Sequence, residues 1–395
     1  MGAVSAAGIG VAALWQAARD GDSKVGPLDI QRGESLRVRI AAAVHGFEPT
    51  EHLSEQELRR CDRFTQFAHV AVNEALADAG LSSEEIAGQR TAVIIGTGIG
   101  GSNTIEDGCF AFFSGETRVN PLSIPRLMPS SVISHVSITH KITGPCFTVT
   151  SACSSAGQSI GTGLQLLRAG IVDRAIVGGA EACITATAMR AWEMLRVLSP
   201  DRCRPFSRNR NGLVLGEGAG VLILETEKSM QERRGNPIAW LDGYGTTSDA
   251  RDIIQPDVEG AASAMRMALV DAKLAPDAIG YINAHGTGTV LNDINEAAAL
   301  GRVFGDVIKT VPVSSSKSVI GHTLGASGGL ELIVAVRALC ENTVPPQTNF
   351  TEADPKAPLF LPVDGALSRP LSAVMSNSFA FGGINATLIA TKPDA

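Results

Sequence analysis

"VTSACSSAGQSIGTGLQLLRAG", Val149 to Gly170, passes from an apolar strand end through small hydroxyl, cysteine and glycine residues into a helix. Ala156, Ile160, Leu164 and Leu167 recur at helical spacing, and Gly170 stands where a glycine ends a helix. A second stretch behaves alike: "GASGGLELIVAVRALCE", after His322, starts small and turns strongly apolar. Around these two helices lie short β-branched runs: "TAVIIGTG" from Thr91, "RAIVGGAE" from Arg174, "GVLILE" from Gly220, "IGYINAHG" from Ile279 and "ATLIATK" from Ala386. Nearly continuous apolar strands alternating with helices predict an α/β protein whose sheets are covered on both faces. The repeated turn-into-helix predicts an internal duplication, with halves at 1–240 and 241–395 sharing one packed body.

Composition narrows the function. The chain has 395 residues, 44% of them hydrophobic, enough for a large core. Against 40 acidic residues stand 33 lysines and arginines, a net charge of -7 that argues against a nucleic-acid partner. The seven cysteines form no CxxC pair, so neither a disulfide framework nor a zinc site is signalled, and a reducing, cytoplasmic setting is expected. No apolar run approaches the roughly 20 residues of a membrane span, and Met1 to Ala18 lacks the basic start of a signal peptide. Ala6 breaks the myristoylation pattern.

Cys153 is the candidate nucleophile. At a helix start the dipole and unpaired N–H groups favour a thiolate and can hold an oxyanion, and Ala152, Ser154, Ser155 and Gly157 leave room for an acyl carbonyl. "NAHGTGTVLND" puts His285 at a strand end, where α/β folds build sites. "SSSKSVIGHTLGASGG" puts Lys317 and His322 before the second helix, the position Cys153 holds before the first.

"TSACSS", "LGEGAG", "NAHGTGT…ND…NE", "SSSKSVIGHTLGASG" and "SNSFAFGGINA" together resemble the elongating β-ketoacyl-acyl carrier protein synthases, the Cys-His-His branch of the thiolase-like superfamily. The likeness runs through nearly the whole chain and is nearest to the nodulation protein E type. It implies a thiolase-like fold: two pseudo-duplicated α/β halves with helices layered between and outside two mixed sheets. It also implies an acyltransferase in which Cys153 takes an acyl chain from carrier-protein thioester, and decarboxylating malonyl-carrier protein supplies the carbanion for a Claisen condensation. His285 and His322 would hold the malonyl thioester and stabilise its enolate, with Lys317 in a supporting catalytic role and Glu296 a structural one. Thr287 and Thr289 would bind the phosphopantetheine arm, which arrives on the acyl carrier protein; no metal or free cofactor is implied. The backbone N–H groups of Cys153 and Phe381 would form the oxyanion hole, with "SFAFGG", Ser378 to Gly383, as a mobile loop on which the Phe381 ring gates an acyl pocket lined by Ile99, Trp192 and Phe379. A homodimer joined at the first-half sheet edges is implied, with no membrane or nucleic-acid partner.

Three departures from the family pattern stand out. Ala380 replaces a common Gly; Ser207, Asn211 and Leu213 replace Asp, Asp and Phe in the wall behind the site; and a central N-terminal strand is expected to be missing at Met1-Gly2. Competing readings are a thiolase, which would carry a second cysteine where Phe379 and Phe381 stand, and a chain-length partner subunit, which would lack Cys153. "GTGIGG", Gly96 to Gly101, also matches the GxGxxG of a NAD(P)-dependent oxidoreductase, but the following "SNTIEDGCFAFFSGE" does not read as a clear amphipathic helix leading to a second strand and a ribose-binding acid. His135 and His140, five apart, do not share a helix face and predict no metal pair. Cys146, Cys183 and Cys340 are expected in the core; Arg60, Arg63, Arg118 and Arg196 could meet an acidic carrier protein.

Overall fold

The computed structural model describes residues 1–116 and 120–393, and its two large sheets share one internal order. In the first half the strands are β1 (Gly2–Ser5), β2 (Gly8–Ile9), β3 (Thr91–Gly96), β4 (Cys146–Val149), β5 (Arg174–Glu181) and β6 (Gly218–Glu225). The second half supplies β7 (Trp240–Ser248), β8 (Tyr281–Asn283), β9 (Val313–Ser314), β10 (Ala373–Ala380) and β11 (Ile384–Thr391). Leaving aside the β2 edge, the orders are β4-β3-β5-β6-β1 and β9-β8-β10-β11-β7, each with two parallel pairings followed by two antiparallel ones.

Helices α1 (Glu55–Arg60), α2 (Arg63–Ala79), α3 (Ser131–His140), α4 (Ser155–Arg168), α5 (Ala186–Met194), α6 (Val258–Ala272), α7 (Val290–Phe304) and α8 (Ser327–Glu341) complete the frame. The two helices after the small-residue turns, α4 and α8, lie between the sheets: α4 packs on β3, β5 and β11, and α8 on β6 and β10. Outside the first sheet α2 covers β1 and β6, and outside the second α6 covers β7 and β11. The stripe Ala156, Ile160, Leu164 and Leu167 is buried as expected, as are Leu330, Ile333 and Val334 of α8. A fully buried Leu, Ile or Val side chain contributes about 1.5–3 kcal/mol of transfer free energy. Close approach requires glycine where α8 crosses β6, since a Cβ on Gly329 would lie 2.3 Å from the Gly220 carbonyl oxygen.

The N-terminal strand expected to be missing is present. Gly2–Ser5 is wholly buried and takes the place that β7 holds in the second half, but it is short, reaching only Ala219 to Val221 of the eight-residue β6. Glu74 of α2 anchors it, accepting from Ala3 N at 2.8 Å and Val11 N at 2.8 Å. "SFAFGG" also differs from its expected loop. Ser378 to Ala380 belong to β10, and only Phe381 to Gly383 turn, with Gly382 and Gly383 at φ 82 and 67. Ala380 pairs with Ile384 in extended backbone, so its Cβ is free of strain. Of the cysteines expected in the core, Cys183 is buried while Cys146 and Cys340 are only half-buried. No helix among the described residues is long and apolar enough to cross a membrane.

Candidate active site

β4 delivers the chain to a one-turn 3-10 segment, Ala152–Ser154, which continues into α4. Ala152 stands at φ 50, an uncommon left-handed position for alanine. The turn is pinned by Ser154 Oγ, which donates to Ser378 O at 2.9 Å and Ile384 O at 2.7 Å, tying the nucleophile to β10 and β11 of the other half. Cys153 is thereby held 5% exposed.

The second half repeats the device. Leu324–Ala326 forms a matching 3-10 turn with Leu324 at φ 44, and His322 precedes it. His322 Nε2 lies 3.0 Å from Cys153 Sγ. The backbone N–H of Leu324 donates to His322 Nδ1 at 3.3 Å, and Ser327 Oγ sits 3.0 Å from the same nitrogen. A nitrogen that accepts from a backbone amide carries no proton, so Nε2 holds the ring hydrogen and donates to the sulfur.

His285 leaves the end of β8, and its ring stands edge-on to His322 at 5.4 Å and to Phe379 at 6.1 Å. Its Nδ1 is buried without a hydrogen-bond partner among the described residues. Its loop is fixed through the backbone: Glu296 of α7 accepts from His285 N and Gly286 N, both at 2.8 Å. Asp293, one turn earlier, accepts from Gly288 N at 3.2 Å and Phe206 N at 2.7 Å. Burial raises Glu296 to about 7 and Asp293 to about 6.

Lys317 is fully buried, and its ammonium pairs with Glu331 of α8, a residue the motifs did not single out. Burial, reinforced by the Lys317 charge, holds both His285 and His322 well below the usual imidazole range, so both rings are neutral near pH 7. Burial also pushes the Cys153 thiol up to about 12, with Lys317 pulling the other way. The thiolate expected from the helix start is therefore opposed by enclosure of the sulfur. The resting group is a thiol accepting the His322 N–H.

A cavity of about 290 Å³ opens on this cluster. Thr287 and Thr289 line it with their hydroxyls 2.9 Å apart, as do Trp192 of α5, Phe379 and Phe381. The Trp192 and Phe381 rings stack at 5.8 Å, closing one wall. No hydrogen bond among the described residues engages the Phe381 N–H. Asn211 and Leu213 also line the cavity, whereas Ser207 is turned away, its hydroxyl 2.8 Å from Asn209 Oδ1 and 3.0 Å from Thr351 Oγ1.

Ile99, expected in the acyl pocket, is 38% exposed and outside this lining. The backbone of this loop is held by Glu181, at the end of β5, which sequence reasoning missed. Its carboxylate accepts from Gly98 N at 2.6 Å, Ile99 N at 3.3 Å and, across the halves, Gly325 N at 3.1 Å. Of the other loop amides, Thr97 N donates to Val149 O, Gly100 N to Thr97 Oγ1 and Gly101 N to Leu127 O. A loop whose amides already face a carboxylate offers no cradle for a pyrophosphate, which removes the dinucleotide reading.

Of the arginines, Arg63 is engaged internally, 2.9 Å from Glu217 and stacked over Phe67. Arg60 is exposed, Arg196 is exposed at the cavity mouth, and Arg118 lies outside the described residues.

Comparison with known proteins shows the family. Residues 1–229 match the N-terminal domain of β-ketoacyl synthases and residues 238–351 the C-terminal domain. Nodulation protein E of Rhizobium leguminosarum bv. trifolii is 39% identical over 98% of this chain and 96% of its own. The 3-oxoacyl-[acyl-carrier-protein] synthase 2 of Staphylococcus aureus (strain COL) is 38% identical over 100% and 97%. Among solved structures, the ishigamide ketosynthase/chain length factor superposes with a TM-score of 0.95 at 32% identity, covering 100% of this chain and 98% of that one.

Proposed function

The chain belongs to the β-ketoacyl synthase family of acyl-transferring condensing enzymes, and on that premise we propose how its own residues share the work. Cys153 attacks the thioester of an acyl-carrier protein; the thiol proton leaves on the departing pantetheine sulfur, so acyl transfer is proton-neutral. The Cys153 and Phe381 N–H groups receive the developing oxyanion. Malonyl-carrier protein then binds with its arm along Thr287 and Thr289. Carbon dioxide departs, and the carbanion attacks the acyl-Cys153 carbonyl, releasing β-ketoacyl-carrier protein and a Cys153 thiolate that takes up one proton from solvent to restore the thiol. His322 serves as a donor throughout, because its bare nitrogen faces Leu324 and its N–H faces the reaction. His285 offers the second neutral imidazole to the malonyl thioester.

The observation that carries this reading is the 3.0 Å contact of His322 Nε2 with Cys153 Sγ beside the His285 ring, whose Nδ1 has no hydrogen-bond partner among the described residues, at the floor of an apolar cavity. Neutral histidines suit a decarboxylation that builds negative charge next to them, and they come from the same burial that keeps the thiol protonated. The cavity sits at the small end for ligand pockets, so the acyl chain enters by displacing the Phe381 ring from Trp192. Arg196 at the mouth and the exposed Arg60 suit an acidic carrier protein. The edge strand β4, with Phe147 38% exposed, suits antiparallel pairing with a second copy, which would set two nucleophiles near one interface. Two halves, 1–240 and 241–395, a cytoplasmic setting and no free cofactor complete the proposal. Acyl chain length and pathway, general or nodulation-type, are open to one experiment. The chain is incubated with a panel of acyl-carrier proteins and malonyl-carrier protein and read by mass spectrometry. An acyl adduct on Cys153 and a condensed product are expected, and Cys153→Ala should lose the adduct. Wild type forming neither with any substrate would refute the proposal.

A further inference from the structure

Five of the chain's seven histidines stand away from the catalytic centre in the first half, and two of them meet with their ring centroids 5.0 Å apart and tilted at 59°. His69 of α2 and His135 of α3 approach with His135 Nε2 2.9 Å from His69 Nδ1. Glu57 of α1 joins them: one ligand atom from each of the three lies within 4.8 Å of the others. Only one of the Glu57 oxygens is committed, Oε2 accepting from Ser54 N at 2.8 Å and from its hydroxyl at 2.7 Å in a capping box. The other oxygen is left for the histidines.

The outer nitrogens of both rings are supported as well. Cys61 Sγ sits 3.4 Å from His135 Nδ1, and the Asn73 amide sits 2.9 Å from His69 Nε2. An imidazole that ligates a metal through one nitrogen ordinarily has the other held by such a partner. His69 is buried while Glu57 and His135 are half-buried, so the cluster is organised yet open to solvent. Sequence spacing compared His135 only with His140; its partner comes from a different helix.

We propose that Glu57, His69 and His135 form a binding site for a borderline divalent transition metal, Zn²⁺ being the best fit, with a fourth position open. Two imidazoles and a carboxylate suit Zn²⁺ and disfavour Mg²⁺ and Ca²⁺, which take oxygen ligands. Metal–nitrogen bonds near 2.0–2.1 Å at a tetrahedral angle need the two nitrogens about 3.3 Å apart, a small widening of the present contact. Without metal a single proton lies between the rings. With metal the His69 proton moves to Nε2, where the Asn73 amide turns its oxygen to accept it; His135 keeps its proton on Nδ1, donating to Cys61. The ion would clamp α1, α2 and α3 together.

The test uses the untagged full chain carrying Cys153→Ala, because Cys153, His285 and His322 also lie within 4.8 Å of one another and would compete for the same ion. After chelation, Zn²⁺ is titrated calorimetrically and Co²⁺ by visible absorption, with Mg²⁺ as control. One equivalent of Zn²⁺ per chain, a thermal midpoint that rises with Zn²⁺, and a tetrahedral Co²⁺ spectrum without a thiolate charge-transfer band are expected. Glu57→Gln and His135→Gln, both at half-buried positions, should each weaken binding at least tenfold, and Cys61→Ser by about 10–100-fold. Circular dichroism on the metal-free variants verifies that they are folded. No Zn²⁺ binding, or binding undiminished in Glu57→Gln and His135→Gln, overturns the site; a thiolate band would overturn the donor set by placing Cys61 on the metal.

Discussion

Lys317 and Glu331 are 0% and 1% exposed, so neither charge has water to fall back on. Replacing Lys317 by Met leaves Glu331 buried without a countercharge, its Oε2 already lacking a hydrogen-bond partner among the described residues. Breaking a buried pair on one side typically costs about 3–5 kcal/mol, whereas replacing both members by apolar groups of similar size is often neutral. Lys317→Met and Glu331→Leu are each expected to destabilise by that amount and the double variant by less than about 1 kcal/mol. Burial already raises the Glu331 carboxyl, and losing Lys317 raises it further. A raised folded-state value means its stability contribution is full at low pH and is lost as pH rises, so the Lys317→Met penalty should grow from pH 5 to pH 8. Urea midpoints at the two pH values measure this. The folded double variant then isolates function. Lys317 helps hold His285 and His322 below the imidazole range, so without it they take up protons at higher pH, and the acid limb of the condensation rate should move upward. Singles costing under about 1 kcal/mol, or a double variant with an unmoved acid limb, would refute the reasoning.

Gly329→Ala drives a Cβ to 2.3 Å from the Gly220 carbonyl oxygen, so α8 must retreat from β6; urea denaturation should show a loss of about 1–3 kcal/mol. A loss within the roughly 0.5 kcal/mol of ordinary surface changes would contradict that close approach. Phe381→Ala removes the ring stacked on Trp192 but leaves its N–H, so longer acyl-carrier proteins should gain in kcat/KM relative to shorter ones, read by product chain length. An unchanged distribution would deny the ring its gating role. Glu181, raised to about 7 by burial, contributes stability that is full below its unfolded value of 4.5 and is lost as pH climbs through 7. Glu181→Gln lacks that titration, so its deficit against wild type should be larger at pH 5 than at pH 8, and a deficit constant with pH counts against the assignment.

Much of the fold could be read from the sequence because its strands and central helices are buried on both faces and are written as continuous apolar runs. "RAIVGGAE" coincides with β5, residue for residue. β10 escaped because "SNS" interrupts its apolar run with polar residues, yet all eight of its residues are buried. Those polar groups are satisfied inside: Asn377 Oδ1 accepts from Thr387 Oγ1 at 2.9 Å, and Ser378 O from Ser154 Oγ at 2.9 Å. A strand that carries half of the nucleophile's anchoring therefore reads as a loop. The short β1 was missed for a different reason, since a four-residue strand has too few positions to show a period.

In the site, the nucleophile and both histidines were legible because each stands at the end of an element, beside small residues that only a close approach explains. The carboxylates were not. Glu181 and Glu331 are single acids in apolar runs, and a buried acid must find partners, but those partners come from segments whose register the sequence does not display. The motif offered Glu296, in a structural role. Both its oxygens are spent on the His285 and Gly286 amides, and it sits on α7, outside the second sheet. Lys317 starts the turn that leads through His322 into α8, so the acid one turn inside that helix, Glu331, is the one its ammonium can reach. The helix that aims His322 at the sulfur thus also carries the charge that neutralises Lys317, and this is why the stability and the pH profile of the site should move together when the pair is altered.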